Sequence, residues 1–151
     1  MAAAKAAQDC ACFNLRKAAR AITQMYDAAI EPSGMRATQF SVLQVISLSD
    51  GAPMMRVAQR LGMDRTTLTR NLAPLERLGW VRSEPGPDRR ERTLALTRSG
   101  RSALERAKPF WQAAQERIIG KIGAAQWQAL RSGLDALVAA AQEGASAPAK
   151  R

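Results

Sequence analysis

The chain has 151 residues, the size of one ordinary domain with a sizeable core. Apolar residues make up 46%, which excludes a disordered chain, and aromatics only 5%, which favours helices over sheets in this alanine- and leucine-rich sequence. The 23 Lys and Arg against 13 Asp and Glu give a formal charge of +10, a field that attracts DNA, RNA or an anionic membrane.

Apolar residues recur at helical spacing from Cys10 to about Ile30 (Phe13, Leu15, Ala19, Ile22, Tyr26, Ala29), predicting a long first helix ended by Pro32-Ser33-Gly34. Thr38 is the expected N-cap of a second helix through Phe40, Val42, Leu43, Val45, Ile46 and Leu48, stopped by Ser49-Asp50-Gly51-Ala52-Pro53. A short third helix over 54–61 closes at Gly62, and Asp64 caps a fourth over 65–78, ended by Gly79. Residues 80–84 and 92–96 read as two short strands around a charged tip, a β-hairpin. Thr97 caps a fifth helix to about Ile122, kinked at Pro109, and a sixth spans about 125–142. The fold class is therefore mainly α with a small β-wing, in the order α-α-α-α-β-β-α-α. The expected division is a helical dimerisation region at 9–32 and 98–142, a winged helix-turn-helix at 36–97, and a disordered tail at 143–151.

No apolar run reaches the roughly 18–20 residues needed to span a bilayer. Met1-Ala2-Ala3-Ala4-Lys5 lacks the apolar stretch of a signal peptide, so no membrane association and a cytoplasmic location are expected. Cys10 and Cys12 are the only cysteines and histidine is absent. That set is too small for a zinc site and excludes Ser-His and Cys-His catalytic pairs, so neither a metal, a cofactor nor an enzymatic activity is expected. A disulfide between two cysteines two apart on one helix is disfavoured, because their side chains diverge.

The segment 57–71 carries the functional signal. Val57, Ala58, Leu61, Leu68 and Leu72 would hold two helices together across a tight turn at Gly62, with Ala58 small where they approach. Arg65, Thr66, Thr67, Thr69, Arg70 and Asn71 then occupy the first two turns of the second helix. These residue types suit the major groove: Arg forks onto guanine, Thr offers a hydroxyl and a methyl, Asn pairs with adenine. One strand later, Asp88-Arg89-Arg90-Glu91-Arg92 places Arg89, Arg90 and Arg92 at the tip and descending strand of the hairpin. Arginine on a slender ribbon enters the minor groove, where negative potential is concentrated.

Residues 9–142 resemble the MarR family of bacterial regulators. The resemblance is strongest over 57–100, in Leu75-Glu76-Arg77-Leu78-Gly79-Trp80-Val81, Asp88-Arg89-Arg90 and Leu96-Thr97-Arg98-Ser99-Gly100. It implies a homodimer framed by the first, fifth and sixth helices, double-stranded DNA as partner, and a pseudo-palindromic operator with half-sites about one turn apart. Two departures stand out. Met54-Met55 replaces the Ser or Thr that members often carry at the start of the third helix, and Pro74 removes an amide inside the recognition helix.

The resemblance also implies a small aromatic or anionic effector between the dimer frame and the DNA-binding module. Arg16, Arg20, Thr23, Tyr26, Phe40 and Trp111 are the candidates; the alternative is that the aromatics are core and the arginines interface or DNA-facing charge. A rival signal is redox. Cys12-Phe13 with Tyr26 fourteen residues on resembles the peroxide-sensing branch of the family, in which a tyrosine hydrogen-bonds to a first-helix thiolate, and Arg16 would lower the Cys12 pKa. Arg16 and Ala37 stand where that branch has further tyrosines, and a small buried cysteine is the plain alternative. The leading reading is a dimeric repressor released by an effector, against a thiol-switched repressor or a non-specific architectural DNA binder.

Overall fold

The computed structural model describes residues 9–49, 51–86 and 91–146. Helix α1 (Ala11–Ile30) follows Cys10, whose extended backbone (φ −73°, ψ 114°) places it before the first helical turn. Cys10 and Cys12 therefore do not sit on one continuous helix. A 3-10 turn, Glu31–Ser33, leads into helix α2 (Ala37–Ser47).

The expected Thr38 cap is not the cap used. Arg36 holds that position, and its N–H donates to Gln39 Oε1 at 2.9 Å. The Ala37 N–H donates to Asp27 Oδ1 at 2.7 Å, and the Arg36 guanidinium lies 3.9 Å from the same carboxylate. A carboxylate from α1 thus satisfies the start of α2, which local spacing does not reveal.

Strand β1 (Ala52–Pro53) precedes helix α3 (Met54–Arg60) and helix α4 (Arg65–Arg77). Strands β2 (Val81–Pro85) and β3 (Arg92–Leu96) form the wing, and helices α5 (Arg98–Ile122) and α6 (Ala124–Ser146) complete the described chain. The sheet is antiparallel, in the order β1-β3-β2, with Ala52 opposite Leu94 and Val81 opposite Leu96. β1 was not foreseen; the order gains one two-residue strand. Helix α6 extends four residues past 142, so 143–146 is helix rather than tail; Glu143 and Ala145 are good helix formers. Residues 147–151 lie outside the described residues.

By its own contacts the chain divides after Gln112. In the first unit, Val42, Leu43 and Ile46 of α2 meet Val57 and Ala58 of α3, Leu68 and Leu75 of α4, and Leu94 of β3, all fully buried. Each large side chain so buried contributes about 1.5–3 kcal/mol. Ile30 of α1 and Ala103, Leu104 and Ala107 of α5 join the same core. Residues of α1 and of the first half of α5 thus pack with the winged module. Within the second unit, α6 exposes Leu130, Leu137 and Val138. On α1, Phe13, Leu15 and Ile22 are likewise exposed. Leu48, counted among the apolar positions of α2, is its C-cap and 71% exposed.

Candidate functional site

The helix-turn-helix is built around one tight corner. Gly62 adopts φ 63°, a left-handed conformation that side chains resist, and so lets the chain reverse between α3 and α4. Met63 N–H returns to the Ala58 carbonyl at 2.9 Å. Asp64 then caps α4: its carboxylate accepts the Thr67 N–H at 2.7 Å and the Thr67 hydroxyl at 3.1 Å. These bonds hold the Asp64 carboxyl below its ordinary pKa, the Thr67 N–H foremost.

Of the six residues expected to read DNA, Arg65, Thr66, Thr69 and Arg70 are exposed on the first two turns of α4. The Thr69 hydroxyl donates to the Arg65 carbonyl at 2.8 Å. Thr67 and Asn71 are half-buried and locally engaged. The Asn71 amide donates to the Thr67 carbonyl at 2.8 Å and approaches Met63 Sδ at 3.9 Å. Both therefore brace the start of the helix. Pro74 lies inside α4 without ending it.

The wing tip, with Arg89 and Arg90, lies outside the described residues. Arg92 opens β3, and its guanidinium is held by Ser83 across the hairpin: Nε donates to Oγ at 2.6 Å and Nη2 to the carbonyl at 2.8 Å. Arg65 and Arg92 line one cleft with Met54, Thr69, Leu72, Glu76 and Ser83.

The far end of the wing is latched to the recognition helix by Leu96-Thr97-Arg98-Ser99-Gly100. The Thr97 hydroxyl donates to the Gly79 carbonyl at 2.6 Å and accepts the Gly100 N–H at 3.0 Å, and Ser99 Oγ donates to the same Gly79 carbonyl at 2.7 Å. A Cβ on Gly100 would lie 2.0 Å from the Trp80 carbonyl oxygen, so only glycine permits this approach. Thr97 is the expected helix cap; that it also ties α5 to the exit of α4 depends on tertiary contact.

A second cavity of about 250 Å³ opens between α1, α2 and α5, lined by Ile22, Thr23, Tyr26, Ala37, Thr38, Ser41 and Trp111. Three expected effector residues, Thr23, Tyr26 and Trp111, meet here. Phe40 stands behind them, buried and stacked on Trp111 with ring centroids 5.4 Å apart. Arg16 and Arg20 are exposed on α1 and do not line the cavity. Thr38 and Ser41, missed from the sequence, do. Burial raises the Tyr26 pKa, so its phenol keeps its proton.

Both cysteines are exposed in the single chain. Tyr26 lies fourteen residues along the same helix, about 21 Å away at 1.5 Å per residue, so it does not bond to Cys12 within one chain. Among the described residues no group of acidic, cysteine or histidine side chains suits a metal ion, and no helix is long and apolar enough to cross a membrane.

A sequence model of the MarR family matches residues 33–91. The crystal structure of the Mycobacterium tuberculosis transcriptional regulator MosR in complex with DNA is 43% identical, covering 89% of this chain and 98% of that one, with a TM-score of 0.82. The repressor CouR of Rhodococcus jostii, bound to a 23-mer DNA duplex, is 27% identical over 86% of this chain and 93% of its own, with a TM-score of 0.76. The uncharacterised HTH-type regulator YwoH of Bacillus subtilis is 29% identical over 91 residues, 60% of this chain. The match spans 66% of that relative's length, just under two thirds.

Proposed function

Because this chain belongs to the MarR family of transcriptional regulators, we propose that it is a homodimeric, sequence-specific DNA-binding repressor in the cytoplasm, released by a small aromatic effector. The observation that carries this is the exposed set Arg65, Thr66, Thr69 and Arg70 on a capped helix start, beside a wing whose foot carries Arg92. The positive helix end favours nearby phosphates, and the arginines fork onto guanine in the major groove. Arg89 and Arg90 are assigned to the minor groove beside it. The complexes of MosR and CouR with DNA support the same use of this chain.

The exposed apolar residues of α1 (Phe13, Leu15, Ile22) and of α6 (Leu130, Leu137, Val138) support a second copy as partner, since an isolated chain would leave them in water. A dimer places two α4 helices on successive major grooves. Duplexes selected by the protein from a random pool test this: two related half-sites centred about ten base pairs apart are expected. Equal recovery of all sequences, lost uniformly as salt rises, would instead mark an architectural binder.

The cavity lined by Tyr26 and Trp111 is assigned to the effector. Its polar lining is hydroxyl (Thr23, Tyr26, Thr38, Ser41), and its volume of about 250 Å³ suits a single-ring phenol or aromatic acid. With Arg16 and Arg20 outside the lining, hydroxyl contacts and ring packing do the recognising. A second reading rests on Cys12, a free thiol on α1: a hydroperoxide oxidises it to a sulfenic acid, releasing water or an alcohol, and the repressor lets go. Peroxide-driven release that persists in Cys12→Ser would eliminate that switch.

A further inference from the structure

The wing is a two-stranded ribbon at its foot. β1 pairs only with Leu94 and Thr93, so from Arg92 outward β2 is the sole described strand paired with β3, with Pro53, Met54 and Met55 at the start of α3 alongside. Such a ribbon twists and bends freely unless side chains pin it. Gly86 N–H to the Glu91 carbonyl, at 2.8 Å, is the last described backbone bond before the tip.

Arg92 is opposite Pro85 in the register, and Ser83 is opposite Leu94. The Arg92 side chain therefore reaches diagonally, two residues along the neighbouring strand, within range of a long side chain. Its two bonds among the described residues, at 2.6 and 2.8 Å, both go to Ser83, one to the hydroxyl and one to the carbonyl. A planar guanidinium holding one residue by two donors fixes an angle as well as a distance. The same side chain lines the cleft shared with Arg65.

We infer that Arg92 is a positioning residue for DNA recognition: its fork onto Ser83 sets the pitch of the wing over α4, and it is not itself a phosphate ligand. The inference rests on the DNA-binding reading above. Lysine in its place keeps the charge and loses the fork, because an ammonium has no planar pair of donors. The clamp is solvent-exposed, so its loss leaves the fold intact while β2 and β3 lose the side-chain tie between them.

The test measures affinity and salt dependence on the duplex that the wild-type protein selects from a random pool. Arg92→Lys is expected to weaken binding about tenfold, roughly the loss of one charge-assisted hydrogen bond, with the slope against salt unchanged. Ser83→Ala should weaken binding too, and add little on top of Arg92→Lys. If Arg92→Lys binds like wild type while Arg92→Ala lowers the salt slope by about one, Arg92 is a phosphate ligand and the clamp is overturned. Failure of the wild type to select any duplex would overturn the repressor reading together with the clamp; selection that Arg92→Lys leaves untouched overturns the clamp alone.

Discussion

Trp111 lies nearly flat on Phe40, the ring planes 17° from parallel, so a core residue of α2 supports a residue that lines the candidate effector cavity. Phe40 is 3% exposed. Phe40→Ala should cost about 3 kcal/mol in urea unfolding and abolish the thermal shift produced by an aromatic effector. Tyr26→Phe should leave stability close to wild type and reduce only the shift. Shifts as large as wild type in both variants would move the effector elsewhere.

The approach of Gly100 to the Trp80 carbonyl leaves no room for a methyl group. Gly100→Ala is therefore expected to destabilise by about 2 kcal/mol, through forced movement of the latch. Gly120→Ala makes the contrast: it sits in the same helix with nothing near its would-be Cβ, and alanine should gain about 0.5–1 kcal/mol there. Denaturant midpoints of the two variants should move in opposite directions.

The Asp64 cap gives the recognition helix a pH dependence. Its folded pKa is depressed, first by the Thr67 N–H, so the stability it adds is present above the unfolded value near ~3.9. It is lost as pH falls through the lower folded value. Asp64→Asn should keep most of the cap and lose this acid dependence, whereas Asp64→Ala should lose the cap at every pH. Thermal unfolding at neutral and acid pH separates the three proteins.

The unpartnered apolar residues of α6 predict concentration-dependent association. Leu137→Asp should shift the protein towards monomer in sedimentation and weaken binding to a two-half-site duplex more than to a single half-site. A stable wild-type monomer at micromolar concentration would contradict the assignment.

The helices, the wing and the reading turn were legible because their signals are local. The apolar period of α4, the Asp64 cap and Gly62 all lie within a few residues of one another. What escaped was set by distant partners. β1 is only Ala52–Pro53, too short for any alternation, and exists because Leu94 lies opposite. Asp27 caps α2 from ten residues away, displacing the expected Thr38. Arg16 and Arg20 share a helix with Thr23 and Tyr26, yet the cavity is lined by Thr23, Tyr26, residues of α2 and Trp111 and not by them.

The most direct measurement is competition between the selected duplex and random DNA for Arg65→Ala and Arg70→Ala. Base reading by the first turns of α4 predicts that each variant loses specific affinity by about 1–3 kcal/mol while keeping most of its non-specific binding. Variants that discriminate between the two duplexes as well as wild type does would contradict it.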